Sequence, residues 1–176
     1  YFIQIKDKLP SNVIGPEEVV TVNGSFVGYS MKKIANCEDM HMLINQSYLS
    51  TTRLTNKDVL QAITNLGVNL NMLHSIGVIV GDINSFNFQI VGTDIYFIDV
   101  DSWGIKGKFN PDTHTILFTC PDSYKPNGDV TFSIADEQYN FAILAFNMLT
   151  QIHPFAGTYL PEKGLSIPDR MKRKIS

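Results

Sequence analysis

Residues 80–103 read VGDINSFNFQIVGTDIYFIDVDSW, and inside them two short β-branched and aromatic runs, 88–91 and 95–98, flank Gly92-Thr93-Asp94. Two such runs joined by a Gly-containing turn predict a β-hairpin. The segments outside the hairpin, GDINSFN and DVDS, are rich in Asp, Asn and Ser, whose short polar side chains stabilise turns. A hairpin brings its two outer loops to one side. Asp82 and Asn87 on one loop are therefore expected to face Asp99 and Asp101 on the other.

Upstream, Thr55-Asn56-Lys57-Asp58 is a capping-box-like start with Asp in place of the usual Glu, followed by Leu60, Ile63, Leu66, Leu70 and Leu73 at steps of three and four. This pattern predicts a long amphipathic helix ending near Gly77. Earlier still, Asn23-Gly24 divides two apolar runs between Val19 and Met31 and predicts a tight hairpin. Downstream, Pro111, Pro121, Pro126 and several Gly residues break any period from Asp101 to Ile134, so that stretch is expected to be irregular. Residues 136–149, DEQYNFAILAFNML, are so apolar after their first turn that the helix they form is expected to be buried nearly all round. Ser166 as N-cap, Pro168 in the first turn, and Ile167, Met171 and Ile175 predict a last short helix.

With 176 residues, 44% of them hydrophobic, the chain can bury one good core. Lys+Arg 14 against Asp+Glu 17 gives a net charge of -3 and no basic field to attract nucleic acid. Cys37 and Cys120 make neither a zinc pattern nor a disulfide framework, and a reducing, cytoplasmic setting is expected. No apolar run approaches the roughly 20 residues that span a bilayer, so no membrane association is expected. The start YFIQIKDKLP lacks the basic-then-apolar order of a signal peptide.

Phosphoryl transfer requires a carboxylate to orient the attacking hydroxyl, and further oxygen ligands to hold magnesium against the phosphates. Asp82 and Asn87, with four residues between them, let one loop present both a base and a metal ligand, and Asp99 closes the following strand. The order of helix, Asp-x4-Asn loop, hairpin, Asp, long loop and buried helix resembles the protein kinase superfamily. Leu73-His74 with Gly77-Val78-Ile79 resembles the helix end that enters the kinase catalytic loop. GDINSFN, IDVDSW, HPFAG at 153–157 and GSFVGYSM at 24–31 are similar to a divergent group of bacterial and phage-type kinase-like proteins. The resemblance covers about residues 15–176. It implies an α+β fold, with residues 1–34 as a small-lobe remnant carrying the hairpin and hinge. Residues 35–176 would be a mostly helical large-lobe core, truncated after the short last helix.

Residue by residue, the resemblance makes Asp82 the catalytic base, with Asn84 in the position of the usual catalytic-loop lysine. Asn87 and Asp99 become magnesium ligands, and Asp101, where the flexible Gly would stand, is either a further ligand or a cap of the next turn. The backbone of Met31, Lys32, Lys33 and Ile34 becomes the hinge that receives adenine, so ATP and magnesium are the implied cofactors. Asp136 takes the place of the aspartate that braces the catalytic-loop backbone. Gly81 stands where kinases carry Arg, so a phosphorylated loop would have no arginine partner there. Lys125-Pro126-Asn127 stands for Ala-Pro-Glu without its glutamate. No glycine-rich loop or strand lysine precedes the hairpin.

Transfer of the ATP γ-phosphate to a hydroxyl, on a protein Ser or Thr, is the first functional expectation. An inactive kinase-like module that binds a protein partner and a small-molecule phosphotransferase are the alternatives. His74, His153 and Phe155 are expected to be structural, and Arg170, Lys172, Arg173 and Lys174 to form the solvated face of the last helix. His41 and His114 lie near no nucleophile elbow, which leaves a hydrolase reading unsupported.

Overall fold

Strands β1 (Pro16–Val22) and β2 (Ser25–Met31) turn on Asn23-Gly24, whose φ values are 51° and 77°. Two consecutive positive values make the turn whose twist matches that of the strands it joins. The computed structural model describes residues 5–175. The first four positions of the YFIQIKDKLP start and Ser176, with the ends of the 1–34 and 35–176 divisions that fall on them, lie outside it.

After β3 (Glu38–Asp39) and α1 (Gln46–Thr52) comes the long helix α2 (Asn56–Ser75). Its start is the expected capping box: the Thr55 N–H donates to Asp58 Oδ2 at 2.8 Å, which satisfies an amide that the helix cannot. Val59, Ala62, Ile63, Leu66, Leu70 and Leu73 form its buried stripe. Leu60, read from the sequence as part of that stripe, is 51% exposed, because Val59 takes the inward position of the first turn.

The hairpin expected at 88–98 is present as β5 (Phe88–Val91) and β6 (Asp94–Phe97), in the register Phe88↔Phe97 to Val91↔Asp94. β3 adds antiparallel to β5. Residues 12–14, unassigned in the sequence reading, add parallel to β6. The Ile14 N–H donates to Phe97 O and the Phe97 N–H to Asn12 O, both at 2.9 Å, and Asn12 Nδ2 donates to Ile95 O.

Two short strands, β4 (Val78–Ile79) and β7 (Gly104–Ile105), pair antiparallel outside the hairpin. The loop 80–87 runs from β4 to β5 and the loop 98–103 from β6 to β7, so each is anchored at both ends to strands that pair with the other's. Phe88, Phe97 and Trp103 stack edge to face beneath them, with centroids 5.1 and 5.7 Å apart. The segment 101–134 is otherwise irregular apart from short 3-10 turns, as its Pro and Gly content predicts.

Helix α3 (Ile134–Thr150) starts at a second capping box, Ser133 with Asp136. It crosses α2 closely enough that Phe141 lies 3.1 Å from where a Gly67 side chain would begin. The expectation that α3 is buried all round is corrected. Its inner stripe, Glu137, Asn140, Ile143, Leu144 and Met148, is buried, whereas Phe146 and Leu149 are 45% and 51% exposed. Helix α4 (Ile167–Arg173) has the expected Ser166 cap, accepting from the Asp169 N–H at 3.2 Å. Its basic residues are not all solvated: Arg170 is 3% exposed and donates to Gly157 O at 2.6 Å, while Arg173 pairs with Glu162. Among the described residues no helix is long and apolar enough to cross a membrane.

Candidate active site

The two loops meet as the hairpin requires. Asn87 Nδ2 donates to Asp82 O at 2.9 Å and to Asp82 Oδ2 at 3.1 Å, closing the first loop on itself. The Ile98 N–H donates to Asn87 O at 3.2 Å, so the residue before Asp99 is tied to the first loop. Asp99 itself has φ 59° and ψ 44°, a left-handed conformation rare for a residue with a side chain. The turn Val100–Ser102 follows at once, with Val100 buried and Ser102 Oγ donating to Asp99 O.

Asp99 keeps an exposed side, yet its carboxyl is held above its ordinary value. Partial desolvation comes first, then the hydrogen bond and charge of Asp101, then the charges of Asp82 and Asp112. Asp112, which the sequence reading passed over, thus joins the three aspartates it named. From β2, Tyr29 reaches toward the same group: burial, followed by the charge and hydrogen bond of Asp101, raises its phenol, which stays protonated and able to donate.

A raised carboxyl pKa has a definite sign in the pH dependence of stability. The folded state binds this proton more tightly than the unfolded state, so stability falls as pH rises from the ordinary carboxylate value through the raised one. Asp99→Asn is therefore expected to melt above the parent at neutral pH, with the gain fading once both states are protonated in acid. Asn tolerates the left-handed backbone, so the comparison isolates the charge. A gain that is equal at every pH would refute the charge cluster.

The first loop is held from below by α3, through a residue that the sequence reading did not choose. Asp136 is committed to the Ser133 cap, accepting from the Ser133 N–H at 2.8 Å and from its hydroxyl at 2.7 Å. The brace is Glu137, fully buried: its Oε1 accepts the Gly81 N–H, and its Oε2 pairs with His74 Nε2 at 2.6 Å. One helical turn on, Asn140 Nδ2 donates to Gly81 O, and its Oδ1 accepts the Cys120 N–H at 2.8 Å. The expected brace therefore moves by one residue. Asp136 lies at the third helical position, where a capping box uses it, and the next residue turns inward. His74 is structural, as expected, being Glu137's partner.

Gly81 has φ 82°, and a Cβ there would lie 2.3 Å from Pro111 Cβ. Gly104 faces the other side of the same proline, where a Cβ would meet Pro111 Cδ at 2.4 Å. Pro111 is thus wedged between the first loop and β7, and an arginine at position 81 has no room. Asn84 is 4% exposed: its Nδ2 donates to Thr115 Oγ1 at 3.2 Å and its Oδ1 accepts the Phe86 N–H at 2.9 Å. Lys125-Pro126-Asn127 makes a turn closed by the Gly128 N–H on Lys125 O. His153 Nε2 lies 2.7 Å from Leu117 O, and its Nδ1 accepts the Phe155 N–H, which are packing roles.

Met31 is the last residue of β2, and Lys32 to Ile34 follow it. Ile34 O faces Cys37 Sγ at 3.5 Å, and Lys32 borders two other cavities, one of them with Asn65, Asn69 and Asp94. Among the described residues no three His, Cys, Asp or Glu side chains close into a ready-made metal cage. Asp82 Oδ1 is nonetheless buried without a hydrogen-bond partner, and Asp99 is crowded by like charge. Both observations fit a cation held between the loops.

No family model matches the sequence, and no curated protein does. Among solved structures, the yeast RNA Pol II CTD kinase CTDK-1 complex matches with a TM-score of 0.67 at 12% identity, over 89% of this chain and 50% of that one. The fold is protein-kinase-like. At this identity the likeness concerns the fold alone, and the chain spans half the length of the chain it matches. Altogether 1378 chains match, so the fold singles out no individual activity.

Proposed function

We propose that the chain carries an ATP-dependent phosphotransferase site in which Asp82 orients the acceptor hydroxyl as base, and Asn87, Asp99 and Asp101 would hold magnesium. The observation that carries this reading is the meeting of the two loops: Asn87 hydrogen-bonded to Asp82, and Asp99 under the charges of Asp101, Asp82 and Asp112. Magnesium, when bound, neutralises charge on the phosphates and fixes them in line for transfer. Asp82 keeps Oδ1 free while Asn87 holds Oδ2, leaving one oxygen to accept a proton. Asn84, in the lysine's place, ties the loop to Thr115, so loop and following segment keep one spacing. The Met31 to Ile34 backbone would receive adenine, and the acceptor would be a protein Ser or Thr presented to the exposed stretch at 112–114 and 116–117.

A second reading, a kinase-like module that binds without catalysing, is favoured by one observation. Among the described residues no Lys or Arg pairs with Asp82, Asp99, Asp101 or Asp112, and the lysine position of the loop is a neutral amide. A phosphate clamp of the usual kind would need a cation beside these carboxylates.

Calorimetric titration of the chain with ATP, with and without magnesium, tests the site. Asp99→Ala is expected to weaken the magnesium-dependent binding at least about tenfold, because it removes a charged ligand. Unchanged affinity would remove Asp99 from the site. Asp82→Asn should keep the melting temperature and the nucleotide affinity while stopping transfer of labelled phosphate to a peptide. Binding without transfer in the parent would select the second reading.

A further inference from the structure

Besides α3, a second element holds the first acidic loop: the 3-10 turn Met40–Ile44, which follows β3. Met40 and Leu43 are buried and β3 pairs with β5, so the turn is fixed to the hairpin that carries the loop. From it His41 makes three contacts with two adjacent loop residues. Its N–H donates to Ser85 O at 3.1 Å, its Nδ1 lies 3.2 Å from Ser85 Oγ, and its ring stacks on Phe86 with centroids 4.4 Å and planes 21° apart. Ser85 is 3% exposed, so its hydroxyl depends on the protein for a partner. The same burial keeps any substrate from that hydroxyl, which excludes a Ser–His nucleophile here. Phe86 is 58% exposed, and an aromatic ring so placed is oriented by what stacks on it.

The two residues that His41 grips stand between Asp82 and Asn87. The backbone there is a relay: the Asn84 N–H donates to Asp82 O at 3.0 Å, and the Asn87 N–H to Asn84 O at 3.2 Å. Asn84 in turn accepts the Phe86 N–H and donates outward to Thr115. We propose that His41 is a positioning residue, which sets the separation of Asp82 and Asn87 by holding Ser85 and Phe86 between them. Its effect on phosphate transfer rests on the phosphotransferase reading. Its hold on the loop does not.

NMR of the isotopically labelled chain tests the proposal through the Asn87 side-chain amide, which donates to Asp82. In His41→Ala both protons of that amide should move to the positions of an exposed asparagine, while the signals of α2 and α3 stay and the melting temperature falls by no more than a few degrees. His41→Asn, whose side-chain oxygen can accept the Ser85 hydroxyl in place of Nδ1, should reverse most of the shift. His41→Phe keeps only the stack and should reverse less. In a parent chain that transfers phosphate to peptide, His41→Ala should lower kcat about tenfold with KM for the peptide within about twofold, and His41→Asn should recover most of the loss. A response of the Asn87 amide in a chain that binds no Mg-ATP would sink the phosphotransferase reading and leave His41 its role. Asn87 signals unmoved in His41→Ala, shifts spread through α2 and α3, or no recovery in His41→Asn would each overturn the proposal.

Discussion

Glu137→Ala should lower the stability of the chain by about 3–5 kcal/mol, because the buried Gly81 N–H and the buried His74 ring would both lose their hydrogen-bond partner. In a chain of this length that corresponds to a fall of roughly 6–20 °C in melting temperature. The size of the effect comes from what is left behind. The carboxylate is fully buried and is the acceptor for the Gly81 N–H and the partner of His74, whose side chain is 8% exposed. His74 Nδ1 already lacks a partner, so the variant would bury an imidazole with neither nitrogen satisfied. Asp136→Ala, one residue earlier, removes only a helix cap at the surface and should cost about 1 kcal/mol. Melts of the two variants side by side decide the matter. If Asp136→Ala proves the more damaging, the brace has been assigned to the wrong residue.

Gly81→Ala should be nearly as harmful, for a different reason. The left-handed backbone at φ 82° costs an L-residue about 1–2 kcal/mol. The added methyl would in addition stand 2.3 Å from Pro111 Cβ, an overlap that the ring cannot relieve by rotating a side chain. Overpacking of this kind costs about 1–3 kcal/mol more. The expected result is a total loss of about 2–5 kcal/mol, with Pro111 expelled and the segment 104–120 cut by protease at concentrations that leave the parent intact. Gly104→Ala should give the same cleavage pattern, since it fills the other side of the same proline. A stable Gly81→Ala with an unchanged pattern would show that Pro111 is not a wedge.

Much of this arrangement could be read from the chain. Asn23-Gly24 and Gly92-Thr93 announced both hairpins because the turn conformations they favour are few. Thr55 with Asp58, and Ser166 followed by Pro168, announced helix starts for the same reason. The approach of Asp82 and Asn87 to Asp99 followed from the hairpin between them. Glu137 was hidden by its neighbour: Asp136 occupied the expected place, and only the capping box with Ser133 reveals that the inward stripe runs Glu137, Asn140, Leu144, Met148. Two polar residues on an otherwise apolar stripe were the available signal. Pro111 gave no signal, because its fit between Gly81 and Gly104 depends on two strands far apart in the chain, Val78 pairing with Ile105 and Ile79 with Gly104. Residues 12–14 escaped notice because a single parallel bridge leaves no periodic pattern. Arg170 was taken for a surface charge because nothing in its neighbourhood of Lys172, Arg173 and Lys174 marks it as the buried one.

The bond between the Gly81 amide and a carboxylate 56 residues away makes that single hydrogen a reporter. It can be replaced by deuterium from solvent only when α3 withdraws from the loop, so its exchange rate reports the least costly opening that separates the two, up to global unfolding itself. A ligand, partner protein or substitution that slows exchange at Gly81 acts by pressing α3 onto the loop. One that changes the behaviour of Asp82 or Asp99 and leaves this amide untouched acts from the other side.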